Sequence, residues 1–279
     1  MTIKLPDVSE FQAPANGNAP DWAGIKSQNG GAAIIRVGYG NAHLDEMLVS
    51  NRAKIRPLGF GFCGLYQYLR ADQDVTSQAS AFINWIGPDL NPGEIPILDL
   101  EEGSGDQSSR ANQWFGIIDD AYHLASLPLG QRSWLYSGQD FAVSAGLTPI
   151  YDSARRTWVA AYQDSDSGLL PHTLWQSTNG QLGANKTDWS GCGSVDTSLY
   201  DGTLAGLSAL GWHPPTNQSL LLPEEEMQIQ NGFANITTVT IGPTTEKVTV
   251  ALPANCSGIS FQRQDDASNW ATIAYNLGA

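Results

Sequence analysis

Eight short apolar segments punctuate the first 205 residues, at 5–11, 32–39, 59–68, 94–100, 133–136, 157–162, 173–176 and 195–199. Between the first six, longer stretches carry apolar residues at helical spacing, at 21–29, 44–55, 77–86, 108–125 and 139–145. The stretch 108–125 is the clearest, with Trp114, Ile117, Ile118 and Tyr122 along one face. Alternating strand and helix leaves few choices of fold. Each helix carries the chain back across the sheet, so the next strand joins its neighbour in parallel. After the sixth segment the connections shorten and fill with Gly, Asn, Asp and Ser. The expectation is an α/β fold over residues 1–210: an irregular (β/α) barrel of about five βα units plus three strands.

Reactive groups in such barrels sit where the strands end. Asp7, Tyr39, Tyr66, Asp99, Glu101, Tyr162 and Gln176 all fall at or near such ends. The fourth segment is the most telling, because Ile97-Leu98 runs directly into Asp99-Leu100-Glu101-Glu102. Residues i and i+2 of a strand share a face, so Asp99 and Glu101 point one way with Cα atoms about 6.5–7 Å apart. Leu100 and Glu102 point the other way, which makes Glu102 a solvated or paired bystander. Two acids converging at a buried strand end are costly unless they hold a cation or move protons.

Composition removes several classes of function. Fourteen Lys and Arg stand against 28 Asp and Glu, a net charge of −14. Nucleic acid and anionic membranes are therefore poor partners. No apolar run approaches the roughly 18 residues that a spanning helix needs. Cys63, Cys192 and Cys256 lie far apart, and the four histidines show no ligand spacing, so neither a disulfide framework, nor a transition-metal site, nor a cofactor is expected. Gly38 and Gly40 lack the spacing of a nucleotide-binding loop.

Near residue 210 the character changes. Residues 211–226 read as a linker, from Gly211-Trp212-His213-Pro214-Pro215 to the run Glu224-Glu225-Glu226. Residues 227–279 read as a small β domain. Its strands are marked by Ile236, Val239 and Ile241; by Val248, Val250 and Leu252; by Ile259 and Phe261; and by Trp270, Ile273 and Tyr275. Cell-wall binding or self-association are the roles open to it.

The ordered motifs of the first 205 residues carry a resemblance. They are Asp7-Val8-Ser9-Glu10-Phe11-Gln12, Arg36-Val37-Gly38-Tyr39, Leu98-Asp99-Leu100-Glu101, Trp158-Val159-Ala160-Ala161-Tyr162, Leu174-Trp175-Gln176 and Val195-Asp196-Thr197-Ser198. Over residues 5–206 this series resembles the glycoside hydrolase family 25 lysozymes, the Chalaropsis-type muramidases of bacteria, fungi and phages. Family members often show Asp-Leu-Asn where this chain has Asp196-Thr197-Ser198. The resemblance implies hydrolysis of the β-1,4 bond between N-acetylmuramic acid and N-acetylglucosamine, with peptidoglycan glycan strands as the partner. It implies Glu101 as general acid/base, Asp99 as its carboxylate partner, and Asp7 and Asp196 completing an acidic cleft. Asp99 either attacks the sugar or orients the substrate's 2-acetamido group. Tyr39, Tyr66, Tyr162 and Trp175 are candidate sugar platforms that also suit a barrel core. Gln176 is a candidate hydrogen-bonding group. Arg36 is a candidate substrate contact or the ion-pair partner of an acid. The N-terminal residues lack the apolar core of a signal peptide. The expected setting is a phage endolysin, made in the host cytoplasm and acting on the wall after release. A catalytically silent wall-binding or virion protein, and a glycosidase for another N-acetylated glycan, are the competing readings.

Overall fold

The computed structural model describes residues 2–13, 19–213, 258–266 and 269–276. The chain divides into two units, Met1–Pro214 and Pro215–Ala279. In the first unit the strands are β1 (Thr2–Val8), β2 (Ala32–Tyr39), β3 (His43–Leu44), β4 (Phe62–Tyr68), β5 (Glu94–Asp99), β6 (Trp134–Gly138), β7 (Thr157–Ala160), β8 (Leu174–Asn179), β9 (Asp188–Trp189), β10 (Gly193–Ser194) and β11 (Asp196–Asp201). The sheet order is β1-β11-β8-β7-β6-β5-β4-β2-β3, and β1 also pairs with β2. That last pairing closes eight strands into a barrel and leaves β3 outside it. The barrel expected from the alternation is therefore what the chain forms.

Five helices follow the first five barrel strands: α1 (Trp22–Asn29), α2 (Leu48–Leu58), α3 (Val75–Ile86), α4 (Ser108–Ala121) and α5 (Gln139–Ser144). Local chemistry sets their ends. Asp21 caps α1 by accepting the Gly24 amide at 3.1 Å, and Asp74 caps α3 by accepting the Ser77 amide at 2.8 Å. The α4 helix stops short of residue 125, because His123 turns to φ 57° and the amides of Leu124 and Ala125 fold back onto the Asp119 carbonyl.

The last strand, β11, is the irregular one. It runs antiparallel to both β8 and β1. Between β8 and β11 the chain forms the β9–β10 hairpin rather than a helix. No helical crossover returns it to the far end of the barrel, so it re-enters in reverse. The start of β11 consequently lies beside the C-terminal ends of the parallel strands.

Strand alternation builds two cores. Leu5, Ile34, Phe62, Ile97, Trp134, Trp158 and Leu174 fill the barrel interior. Val8, Ile35, Leu65, Leu98, Leu135, Val159 and Trp175 face outward into the main hydrophobic layer, with Phe82, Trp114 and Ile118 of the helices. Aromatic packing makes the interior floor, with Phe62 and Trp134 ring centroids 5.4 Å apart and Tyr136 and Trp158 4.0 Å apart. Beyond β11 the chain stays on the barrel: the Trp212 amide donates to the Glu94 carbonyl at 2.8 Å, and the Trp212 carbonyl accepts from Gly93 at 2.6 Å.

In the second unit Gly258–Asp266 (β12) and Asn269–Asn276 (β13) pair antiparallel, with Ile259 opposite Tyr275 and Phe261 opposite Ile273. These are the two strands expected around Ile259 and Trp270. The strands expected at 236–241 and 248–252, and Cys256, lie outside the described residues.

Candidate active site

One rule builds the cleft. Following the inward-facing residues of each strand from the apolar floor to the strand end reaches a polar side chain at nearly every step. Leu5 leads to Asp7 on β1, and Ile34 to Arg36 on β2. Phe62 leads to Tyr66 and Tyr68 on β4, Ile97 to Asp99 on β5, Trp134 to Tyr136 on β6, and Leu174 to Gln176 on β8. Backbone register sets these groups side by side: Tyr68 pairs with Asp99, and Asp99 with Tyr136. Asp196 joins them from the first position of the reversed β11. The cleft has a volume of about 390 Å³.

Nine of the ten residues singled out in the sequence line this cleft: Asp7, Arg36, Tyr39, Tyr66, Asp99, Glu101, Tyr162, Gln176 and Asp196. Trp175 does not. It precedes Gln176 on β8 and therefore faces the other way, buried in the layer outside the barrel with its indole N–H on the Ala161 carbonyl at 2.8 Å. Two adjacent strand residues cannot both face the lumen, which corrects the reading of Trp175 as a sugar platform.

The acids differ in access. Asp7 and Asp99 are 8% and 4% exposed, and each has one buried carboxylate oxygen, Oδ1, with no hydrogen-bond partner. Glu101 is exposed. Leu100 packs outward and its amide still bonds the Tyr136 carbonyl at 3.0 Å, so alternation persists one step past β5 and turns Glu101 back into the cleft. It ends there. Glu102, expected on the opposite face, also lines the cleft. Its carboxylate accepts from the Ala71 amide at 2.5 Å and lies 3.2 Å from the Arg70 guanidinium.

Crowding raises the proton affinity of these acids. Burial pushes Asp99 well above the usual carboxylate range, and Glu101 and Asp7 add to it while Arg36 opposes. Asp7 is likewise raised well above that range, by burial and then by Asp196, against Arg36 and the Tyr66 hydroxyl. Although Glu101 is open to solvent on one side, the cleft walls desolvate its carboxyl and raise it, with Asp196 adding to this and the Gly138 amide opposing. Burial lifts Asp196 to about 6.

Arg36 acts on this cluster from a fixed position. Its Nε lies 2.9 Å from Asp45, whose side chain is fully buried, and its other end lies 2.7 Å from Glu10. Glu10 also holds His43 Nε2 at 2.9 and 3.0 Å, and the His43 ring stacks on Tyr39 with centroids 4.4 Å apart. Gly38 permits this stack, since a Cβ there would lie 2.2 Å from the His43 carbonyl oxygen and block the β2–β3 hairpin. Tyr68, Arg70 and Tyr136 line the cleft without having been singled out in the sequence. Tyr68 was within reach, two residues beyond Tyr66 on the same face, and Tyr136 ends the segment 133–136. Among the described residues no group of three or more His, Cys, Asp or Glu is placed to hold a metal ion.

Clustered carboxylates with opposite exposure, opening at the mouth of a (β/α) barrel, are the groups that glycoside hydrolysis uses. The profile of the glycosyl hydrolases family 25 matches residues 6–183, and the chain belongs to that family. Solved structures agree on the fold. A family 25 glycosyl hydrolase from Bacillus anthracis is 20% identical, with a TM-score of 0.58 over 75% of this chain and 94% of the other. The catalytic domain of an endolysin from a Listeria monocytogenes bacteriophage is 20% identical, with a TM-score of 0.57 over 75% and 98%. The modular autolysin LytC of Streptococcus pneumoniae, in complex with a synthetic peptidoglycan ligand, is 22% identical, with a TM-score of 0.54 over 71% and 46%. No curated protein matches the chain in sequence.

Proposed function

We propose that this glycoside hydrolase is a peptidoglycan N-acetylmuramidase that cleaves the β-1,4 bond between N-acetylmuramic acid and N-acetylglucosamine. Glu101 is the general acid/base. Asp99 supplies negative charge beside the oxocarbenium-like centre, and Asp7 and Asp196 complete the acidic wall. The observation that carries the assignment is the contrast between the two acids of β5. Glu101 is exposed in the cleft and raised in proton affinity, which suits a proton donor, and it has room to reach the leaving oxygen. Asp99 is buried with an unpartnered oxygen, so its charge is poorly screened when it forms.

In this mechanism the bond from C1 to the glycosidic oxygen breaks as Glu101 protonates that oxygen. Glu101 then takes a proton from the water that completes hydrolysis at C1. The likeness to an autolysin bound to a peptidoglycan ligand and to an endolysin catalytic domain supports the wall as substrate. The likeness to the endolysin also supports phage-mediated host lysis as the setting, with action on the wall after release from the cell. Purified peptidoglycan incubated with the enzyme tests the proposal. It predicts falling turbidity with new reducing ends, and binding without release of reducing ends would refute it.

A further inference from the structure

Gln176 is 1% exposed, yet it is the hub of one wall of the cleft. Its amide oxygen accepts from the Tyr136 hydroxyl at 2.7 Å and from the Tyr162 hydroxyl at 3.3 Å. Its amide nitrogen donates to Asp196 Oδ2 at 3.1 Å. The backbone brings these groups together from separate strands, because Gln176 pairs with Ala160 of β7 on one side and Ser198 of β11 on the other. The amide cannot be reversed without penalty. Turned around, its carbonyl would face Asp196 Oδ2, setting two acceptors against each other unless that oxygen carried a proton.

We propose that Gln176 is a positioning residue whose amide fixes the direction of the hydrogen bonds along this wall, holding Asp196 Oδ2 as an acceptor and turning the lone pairs of the Tyr162 hydroxyl toward substrate. Tyr162 is 42% exposed and has committed its only hydroxyl proton inward. It therefore meets substrate as an acceptor. The wall selects donors, which on a glycan are hydroxyls and amide N–H groups. Other charged or titratable groups also act around Asp196. It acts electrostatically on Asp7 from β1, Tyr66 from β4, Glu101 beyond β5 and Tyr162 beyond β7. The N–H donors to the Asp196 carboxylate are the Gln176 side chain and the Asp196 backbone amide.

The test uses the full chain and two readouts. The first is the Asp196 carboxyl midpoint, followed by ¹³C NMR titration. In Gln176→Leu that midpoint moves up from about 6, because the carboxylate loses a donor that favours its charged form. The second is a double-mutant cycle with Tyr162→Phe on peptidoglycan. Each single substitution lowers kcat/KM by about 10- to 100-fold, and the pair costs much less than the product of the two. A folded Gln176→Leu protein with an unmoved Asp196 midpoint and independent effects of the two substitutions would overturn the proposal. Should that variant not fold, Gln176→Glu preserves size and sets a second carboxylate against Asp196, and the midpoint must again rise. The titration does not depend on the muramidase reading. A wild-type protein inactive on peptidoglycan would remove that reading and leave the titration to judge Gln176.

Discussion

Asp99 and Glu101 stand two residues apart at the end of β5 and enter the same cleft with opposite access to solvent, Asp99 4% exposed and Glu101 open. The difference divides labour between two otherwise similar acids. One has room to exchange a proton with a substrate oxygen. The other is held where its charge is least screened.

Glu101→Gln keeps the shape of the acid and removes its proton chemistry. The expected loss in kcat is about 10²- to 10⁴-fold with little change in KM, measured as reducing ends released from purified peptidoglycan. Near-wild-type turnover would dismiss Glu101 as the acid.

Asp99→Asn is expected to inactivate and to stabilise at once. Burial, Glu101 and Asp7 all oppose the charge on Asp99, and one of its oxygens has no partner. An amide of the same size removes that repulsion. At pH 7 the thermal midpoint should rise by about 2–4 °C, the change that roughly 1 kcal/mol produces in a chain of this size. A lower midpoint would show that the charged form is satisfied in the fold.

The raised acids also set the sign of the pH dependence. A carboxyl that binds its proton more tightly in the folded state adds stability below its ordinary value, and loses that contribution as pH rises through the folded value. For Asp196 the window runs from 3.8 to about 6. Wild type should therefore lose stability relative to Asp196→Asn between those two pH values, measured by urea unfolding at each pH. A constant difference across the window would contradict the raised value. Activity should follow a bell with an acidic optimum, and a flat profile from about pH 4 to 9 would contradict paired acids.

The Arg36–Asp45 pair is expected to be structural. Asp45 is buried and accepts from Arg36 Nε and from the amides of Glu10 and Met47, at 2.9 Å in each case. Arg36→Met strands a buried carboxylate and should cost about 3–5 kcal/mol in denaturant unfolding. A loss below 1 kcal/mol would mean that Asp45 finds another partner or a proton.

Trp175 separates the corrected site from the one expected from the sequence. Trp175→Phe removes the indole bond to the Ala161 carbonyl and should lower stability by about 1–3 kcal/mol, while kcat/KM at a temperature where the protein is folded stays within about twofold. A selective loss of kcat/KM in a fully folded variant would return Trp175 to the cleft.

The barrel was legible because its signal is periodic. Residues 32–39 form a strand over the same span as expected, and the helical spacing of Trp114, Ile117 and Ile118 marks α4. The acids were legible because Asp7 and Asp99 end apolar strands, where few other roles are open to a carboxylate. Two features were not. The reversal of β11 depends on a hairpin in place of a helix, and short Gly-rich connections do not announce their direction. Glu102 enters the cleft because alternation stops after Glu101, and a strand's end is the least legible part of its pattern. Trp175, by contrast, could have been placed by a rule already in hand: with Gln176 facing inward, its neighbour had to face outward. The same alternation, counted upward from Phe62 and Trp134, reaches Tyr68 and Tyr136.

The identity of the sugar at the new reducing end tests the central claim most directly. Peptidoglycan digested to completion, reduced with borohydride and hydrolysed to monomers should yield the reduced form of N-acetylmuramic acid at every new end. Reduced N-acetylglucosamine in its place, or no new reducing end at all, would contradict the assignment of this cleft as a muramidase site.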